Sequence, residues 1–508
     1  MTWDHRPSRR TVLGALAAAG VVGATGTAFA ESGLPGRIEA ILGRPEFQGS
    51  HWGMAFHSPG GPVHAMNPGE LFVAASSMKI FIGATAFETL GPGHRFHTRV
   101  FRTGPVTSGV LRGDLVVVAG GDMLLSNRAR PDGTIEPRHP DHANPGAPPL
   151  PGDRLADVRE LAAQVRASGI RRVEGRVVVD TSLFREARES IAFNNAMITV
   201  SPMMINDHVV HAVVTPGDTV GAPAVVQSNP STAHVRFVSE VTTIAASGTP
   251  RRLAVTADGR VTGDIRLGGQ TEYVAHYVPD PTQFAATVFK EALQDKGIQV
   301  DGQACPARPN RAEVAEHVSL PLSEQAKVML KVSSNIHTVS FPYLVGAIAG
   351  GERENPKASY EDYRRSLFRA AGLPADPAGA ADGNYSADTF IAFLNHVAKR
   401  PYFAQFRDSL PIMGRDGTLM ANQPNSPAAG NVYAKTGSGV RTNPAGGVTV
   451  NKALAGYIRM PGRRWFTFAQ FMTQDAPSMA AANALVETAQ EAMAEIVTGV
   501  YELGGTSR

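Results

Sequence analysis

The 508-residue chain holds a single cysteine, Cys305. That excludes an intrachain disulfide and any zinc site built from several cysteines. Cys305 sits in "DGQACPARPN", a loop-like stretch before Pro306, and reads as a bystander rather than a nucleophile. An excess of one charge is lacking too: 48 Lys and Arg stand against 45 Asp and Glu. Of the net +3, Asp4, Arg6, Arg9 and Arg10 carry +2, so the body is nearly neutral. Such a body offers no electrostatic case for nucleic acid or an anionic membrane surface. Beyond the N-terminus there is no run of 18 or more apolar residues, so the remainder reads as soluble. Nor is there a repeat at solenoid periods. What is present is apolar residues at 43%, enough for the cores of two or three domains.

Residues 1–30 read as a signal peptide. Basic residues come first, then a Gly/Ala/Val/Leu-rich stretch, then Ala28-Phe29-Ala30, a small-x-small cleavage pattern. Arg9-Arg10 before Thr11-Val12-Leu13, with glycines diluting the apolar stretch, resembles a twin-arginine export signal. The expected location is therefore exported, in the periplasm or extracytoplasmic wall space. An uncleaved membrane anchor is the alternative.

Apolar residues recur at helical spacing from Ile80 to Leu90, ended by Gly91-Pro92. From about residue 95 the texture changes to short alternating or β-branched runs ("GDLVVVAG", "EGRVVVD", "HVVHAVVTPG", "AHVRFVSEVTTIA") separated by Gly, Pro and Asp. One helix, "RLADVRELAAQVRASGI", interrupts them. A Pro-rich stretch from Asn127 to Asp153 contains His139, Asp141 and His142. It reads as a surface loop with incidental histidines rather than a metal site. Helical periodicity returns at "DPTQFAATVFKEALQDKGI". Two strand-like runs, "KALAGYIRM" and "RWFTFAQFMTQ", and a helix from about Ser478 close the chain. The expected class is α+β multidomain. Its discontinuous catalytic unit, 31–94 and 281–508, is interrupted by a β-rich insertion, 95–280, of two subdomains.

Three short motifs carry the chemistry. In Ser76-Ser77-Met78-Lys79, Lys79 lies one helical turn beyond Ser76, so its amine can reach the hydroxyl. Partial burial or a second cation would hold that amine neutral enough to accept a proton. In Ser333-Ser334-Asn335, Ser333 and Asn335 can both face one cleft, to relay a proton and to orient lysine and substrate. In Lys435-Thr436-Gly437-Ser438, on an edge-strand-like segment, Lys435 offers charge and the two hydroxyls offer hydrogen bonds to a carboxylate. Gly437 permits close backbone approach. The backbone N–H groups of Ser76 and Ser438 would form an oxyanion hole. Each motif is weak alone; the ordered triplet is not.

The triplet is the one used by penicillin-binding proteins and serine β-lactamases. Over residues 35 to 475 the chain resembles the D-Ala-D-Ala carboxypeptidase/endopeptidase family, the class C low-molecular-mass penicillin-binding proteins. The 254 residues from Lys79 to Ser333 match that family's large insertion, as do the phrases "RELAAQVRASGIRRVEGRVVVDTSLF" and "LPIMGRDGTL". The resemblance implies an antiparallel sheet flanked by helices, plus a helical subdomain. It implies Ser76 as nucleophile, Lys79 as base, Ser333 and Asn335 as relay and alignment, and Lys435, Thr436 and Ser438 at the terminal carboxylate. Peptidoglycan peptides are the implied substrate, and β-lactam antibiotics the covalent inhibitors. Peripheral membrane or wall association is compatible with it; no cofactor, metal or nucleic acid is implied. Three positions depart from the common pattern without removing a needed group: Ala74, Ser334 and Ser438. In relatives an acidic residue near "SIAFNNAMITV" binds a diamino-acid side chain, whereas here Asn194 and Asn195 stand in that neighbourhood.

Two other readings compete: a serine β-lactamase or esterase on the same fold, against which the long insertion argues, and a non-catalytic cell-wall-binding protein. His51, His57, His64, His337 and His396 attract no role. Asp416 and Arg415 read as structural residues of a turn.

Overall fold

The computed structural model describes residues 33–504 apart from 139, 145, 192–195, 304–310 and 444–445. Residues 1–30, read from the sequence as a signal, and Cys305, His139, Asn194 and Asn195 lie outside the described residues. The centre is a five-stranded antiparallel sheet in the order Gly61–Met66, His51–Ser58, Trp465–Ala476, Val448–Arg459, Val432–Thr442. A strand from near the N-terminus thus pairs with one from near the C-terminus, and the described residues between strands Gly61–Met66 and Val432–Thr442 lie outside the sheet. Strand Val448–Arg459 is buried over almost its whole length because both faces of the sheet are covered.

One face packs on helix Met479–Leu503, capped by the Ser478 side chain, and on a helix over 33–42. Leu34, Ile38, Val450, Leu454, Met493 and Val497 share that core. The other face meets a helical layer built around Lys79–Leu90. That helix is apolar nearly all round, as a helix enclosed by others must be. It ends at Gly91, whose φ of +82° suits glycine. Phe81 sits among Phe368, Tyr385, Phe390 and Phe393 with ring centroids 4.7–5.0 Å away. Helix Lys79–Leu90, strands Val448–Arg459 and Trp465–Ala476 and the C-terminal helix fall where the sequence pattern places them, and the α+β class holds.

The β-rich region has two cores of its own. The larger gathers Val100, Leu115, Val117, Val158, Leu161 and Val165 with Phe284, Val288 and Leu293. The smaller gathers Ala212, Val214, Val241, Val261 and Ile265. Helix Pro281–Asp295 belongs to the larger one, beside helix Ala156–Ala167. Strand Gln299–Val300 pairs with Arg172–Val173, and strand Ala312–Val318 with His97–Arg102. Residues 281–303 and 311–318 therefore pack with elements of the 95–280 region, although the sequence reading groups them with the catalytic unit. The helical period there is real, but period alone does not say which core a helix covers.

Candidate active site

Ser76 lies in a tight turn, Ala75–Met78, that runs into helix Lys79–Leu90. Just before it Ala75 has a φ of +45°, and Ser333 has +63°. Left-handed backbone at non-glycine residues costs about 1–3 kcal/mol each, so the surrounding packing must hold these two turns in place.

Lys79 Nζ is 3.0 Å from Ser76 Oγ, 2.9 Å from Ser333 Oγ, 2.8 Å from the Ser333 carbonyl oxygen and 2.8 Å from Asn335 Oδ1. Two of these four partners, the carbonyl and the amide oxygen, only accept. They take the two N–H bonds of a neutral amine, which leaves its lone pair toward two hydroxyls that can donate. Burial pushes the Lys79 ammonium down to about 7, against the opposing charge of Asp141. The amine is thus available near neutral pH, and it already touches Ser76.

Strand Val432–Thr442 forms one edge of the sheet. Its first residues are covered, Met413 N–H donating to Val432 O and Ala434 N–H to Pro411 O at 2.9 Å. Ala434 therefore points its N–H away from the neighbouring strand. By the two-residue period Thr436 and Ser438 do the same, toward the open edge. The same pleat splits the Lys-Thr-Gly-Ser motif. Lys435 faces the helical layer and donates to Ser333 Oγ at 2.9 Å and to Thr436 O at 3.0 Å. Thr436 faces the other way, its hydroxyl 2.8 Å from that of Thr418. Burial, then Lys79 and Lys452, hold the Lys435 amine well below the usual lysine range.

Gly437 has a reason other than substrate approach. A Cβ there would lie 2.4 Å from Ala74 O and 3.2 Å from Ser77 N, so glycine lets the strand press against the turn that carries Ser76. The eight site residues predicted from the motifs lie on the Ser76 turn, at the start of the helix from Asn335, and on the strand pressed against that turn, with the two lysines buried and Ser438 exposed.

Two groups escaped sequence reasoning. Lys452, opposite Ser438 on the adjacent strand, donates to Ser438 Oγ at 2.7 Å and to Gln490 Oε1 at 2.6 Å. Its signal was present: strand alternation puts it in the inward row of Val448, Val450 and Leu454. The second group is a buried cluster centred on Asp207. Asp207 accepts from His337 Nε2 at 2.6 Å, from Arg128 at 2.6 Å and from His142 Nε2, and Arg128 also reaches Asp141 at 3.0 Å. Burial alone would raise the Asp207 carboxyl, but Arg128 and the two histidines hold it well below its ordinary value. Asp141 and His142 are therefore buried partners and not the incidental residues of a surface loop. Asp207 stands between Asn206 and His208 in three consecutive left-handed residues, and through His337 it anchors the helix that begins at Asn335. Asp416 accepts from Lys331 at 2.7 Å and from Ile412 N–H at 2.8 Å, the structural part read for it. Among the described residues no group of three or more metal-ligating side chains is gathered.

A serine hydroxyl against a desolvated amine, at the seam between an antiparallel sheet and a helical layer, defines the class of penicillin-binding serine hydrolases. The profile of the D-Ala-D-Ala carboxypeptidase 3 (S13) family matches residues 34–495, and the chain belongs to that family. Membership makes it a serine-type D-Ala-D-Ala carboxypeptidase. It is 28% identical over 486 residues to a D-alanyl-D-alanine carboxypeptidase of an Actinomadura species, covering 89% of this chain and 82% of that one. It is 24% identical over 398 residues to the D-alanyl-D-alanine carboxypeptidase DacB of Haemophilus influenzae, covering 73% and 76%. The crystal structure of penicillin-binding protein 4 (dacB) from Haemophilus influenzae superposes with a TM-score of 0.65 at 18% identity, covering 91% of this chain and 99% of that one. The same protein complexed with a β-lactam gives 0.62 at 19%, covering 92% and 98%.

Proposed function

We propose that Ser76 is the nucleophile of a D-alanyl-D-alanine carboxypeptidase/endopeptidase that trims peptidoglycan stem peptides. The observation that carries this reading is the buried Lys79 amine 3.0 Å from Ser76 Oγ, with the Ser333 carbonyl and Asn335 Oδ1 as acceptors for its N–H groups. Lys79 takes the proton as Ser76 Oγ bonds to the carbonyl carbon of the penultimate D-alanine. The oxyanion meets the N–H groups of Ser76 and Ser438. Ser333, in contact with both Lys79 and Lys435, passes a proton to the departing nitrogen, and the C–N bond breaks. D-Alanine leaves, an ester on Ser76 remains, and water hydrolyses it. Where the departing amine belongs to a neighbouring stem, the same steps cleave a cross-link. Asn335 aligns lysine and substrate, while Thr436 and Ser438 receive the terminal carboxylate. A β-lactam arrests the cycle at the ester because its leaving group stays tethered.

The reading extends to location and organisation. Export by the twin-arginine-like segment 1–30 fits a wall substrate, with peripheral wall or membrane association. No helix among the described residues is long and apolar enough to cross a membrane. The two cores of the β-rich region support two inserted subdomains, with a distal limit near residue 320 rather than 280.

The test is the intact mass of the protein lacking residues 1–30 after incubation with a penicillin, beside Ser76→Ala. One antibiotic adduct on the unmodified protein alone is expected. Rapid antibiotic hydrolysis without an adduct would make it a β-lactamase. Neither adduct nor turnover would leave a non-catalytic wall-binding protein.

A further inference from the structure

Lys79, Lys435 and Lys452 are all buried, and Lys435 feels the charge of the other two. The lysines ion-paired to carboxylates among the described residues are Lys327, Lys331 and Lys357; these three have no such pair. Buried cations without counter-ions are costly, and an anionic ligand is what relieves the cost. Lys435 approaches the cleft from the helical-layer side. Its side chain is turned to Ser333, across the pleat from Thr436 and Ser438. Lys452 is on their side.

We propose that Lys452 is a specificity-determining residue, a source of positive charge behind Ser438 that favours peptides with a free C-terminal carboxylate. This rests on the reading of the Ser76 cleft as the D-alanyl-D-alanine site. The sheet explains how a lysine on an inner strand reaches that rim. Because Ala434 points its N–H outward, Ser438 and Lys452 form a non-hydrogen-bonded pair, the kind whose side chains lie closest. The ammonium then donates to Ser438 Oγ at 2.7 Å. A hydroxyl has one proton, and with its oxygen engaged by an ammonium that proton is directed elsewhere. Ser438 is exposed at the cleft, so the direction left to it is toward the substrate. Lys452 therefore sets Ser438 as a donor and places positive charge one atom behind it.

Gln490 on the C-terminal helix ties the arrangement together. Its Oε1 accepts from Lys452, while its Nε2 donates to Thr418 O at 2.9 Å and Asn422 Oδ1 at 2.7 Å. Thr418 in turn contacts Thr436, so one amide braces both hydroxyls at the rim. Burial lowers the Lys452 ammonium to about 8, opposed by Glu487, which keeps it largely charged at neutral pH.

The experiment compares two substrates in the same enzyme: a diacylated Lys-D-Ala-D-Ala peptide with a free carboxylate, and its C-terminal amide. In the unmodified protein the acid is turned over far better than the amide. Lys452→Met is expected to raise KM for the acid by about 10- to 100-fold, the loss of a charge-assisted hydrogen bond. The ratio of kcat/KM for the acid over that for the amide falls, and measurable turnover of the amide shows that the nucleophile is intact. Lys452→Arg, keeping the charge, retains the preference for the acid. An unchanged acid-to-amide ratio in Lys452→Met overturns the proposal. If the Met variant does not fold, Lys452→Gln is read by the same ratio. Unmodified protein that makes no distinction between acid and amide would instead overturn the assignment of the cleft.

Discussion

Lys79, Lys435 and Lys452 are as deeply buried as Arg128, Asp141, Asp207, His142 and His337, yet the two groups are built differently. Around Asp207 every charge meets an opposite one: both carboxylates face Arg128, and Asp207 takes two imidazoles besides. Around Ser76 the lysines meet only hydroxyls, carbonyl oxygens and amide oxygens. Paired charges in a low-dielectric interior are a fixed structure. Unpaired ones lower their own pKa values and await a ligand, which is the electrostatic condition for chemistry. Burial is common to both; the missing counter-ion separates the site from the scaffold.

The largest effect that would break this contrast is on stability. Asp207→Leu removes the partner of Arg128, His142 and His337 at once. Breaking a buried pair from one side should cost about 3–5 kcal/mol, read as a fall in Tm or in the urea midpoint. Lys79→Met also deletes a buried charged-type side chain, but one with no counter-ion. It should leave stability unchanged or raised while abolishing acylation by penicillin. Comparable destabilisation by both substitutions would show that the lysines are as structurally committed as the aspartate.

Next in size is the pH dependence of acylation. With Lys79 at about 7, its lone pair is free above that pH and protonated below it. The second-order rate of acylation should therefore fall about tenfold per pH unit below 7, and level off above it. The groups facing Lys79 are Ser76, Ser333, Asn335 and Lys435, with Asp141 acting from the paired cluster. A rate that stays flat down to pH 5 would remove Lys79 as the base.

The unpaired site was legible in the sequence because each motif lies within one local element. Ser76 and Lys79 are one turn apart, and Lys435 to Ser438 sit on one strand. Their face-by-face assignment was not legible. The pleat turns Lys435 away from Thr436, and the cation beside Ser438 belongs to a strand across a hairpin. The paired cluster was invisible for the opposite reason. Its contacts join residues 65, 79 and 130 positions apart, so no spacing announces them. A Pro-rich segment that looked like surface supplies three of its members, Arg128, Asp141 and His142. Helix Pro281–Asp295 failed in the same manner: its period was clear, but the core it covers depends on strands more than a hundred residues earlier.

The two groups are not electrically isolated, and the smallest predicted effect measures the link. Asp141 raises the Lys79 pKa, against the burial that lowers it. Asp141→Asn keeps an amide oxygen for the Ala143 N–H, 3.0 Å from the present carboxylate, but removes the negative charge. Without that charge the ammonium form of Lys79 is less favoured, so its pKa moves down and more of the amine is free at a given pH. Acylation measured at pH 6 should therefore rise, by about a factor of a few for a charge acting over such a range. Above pH 8, where Lys79 is already neutral, the rates of variant and unmodified protein should coincide. A rate reduced equally at both pH values would mean that Asp141 acts by holding the packing rather than through its field. The insertion would then support the site mechanically, with no electrostatic share in its chemistry.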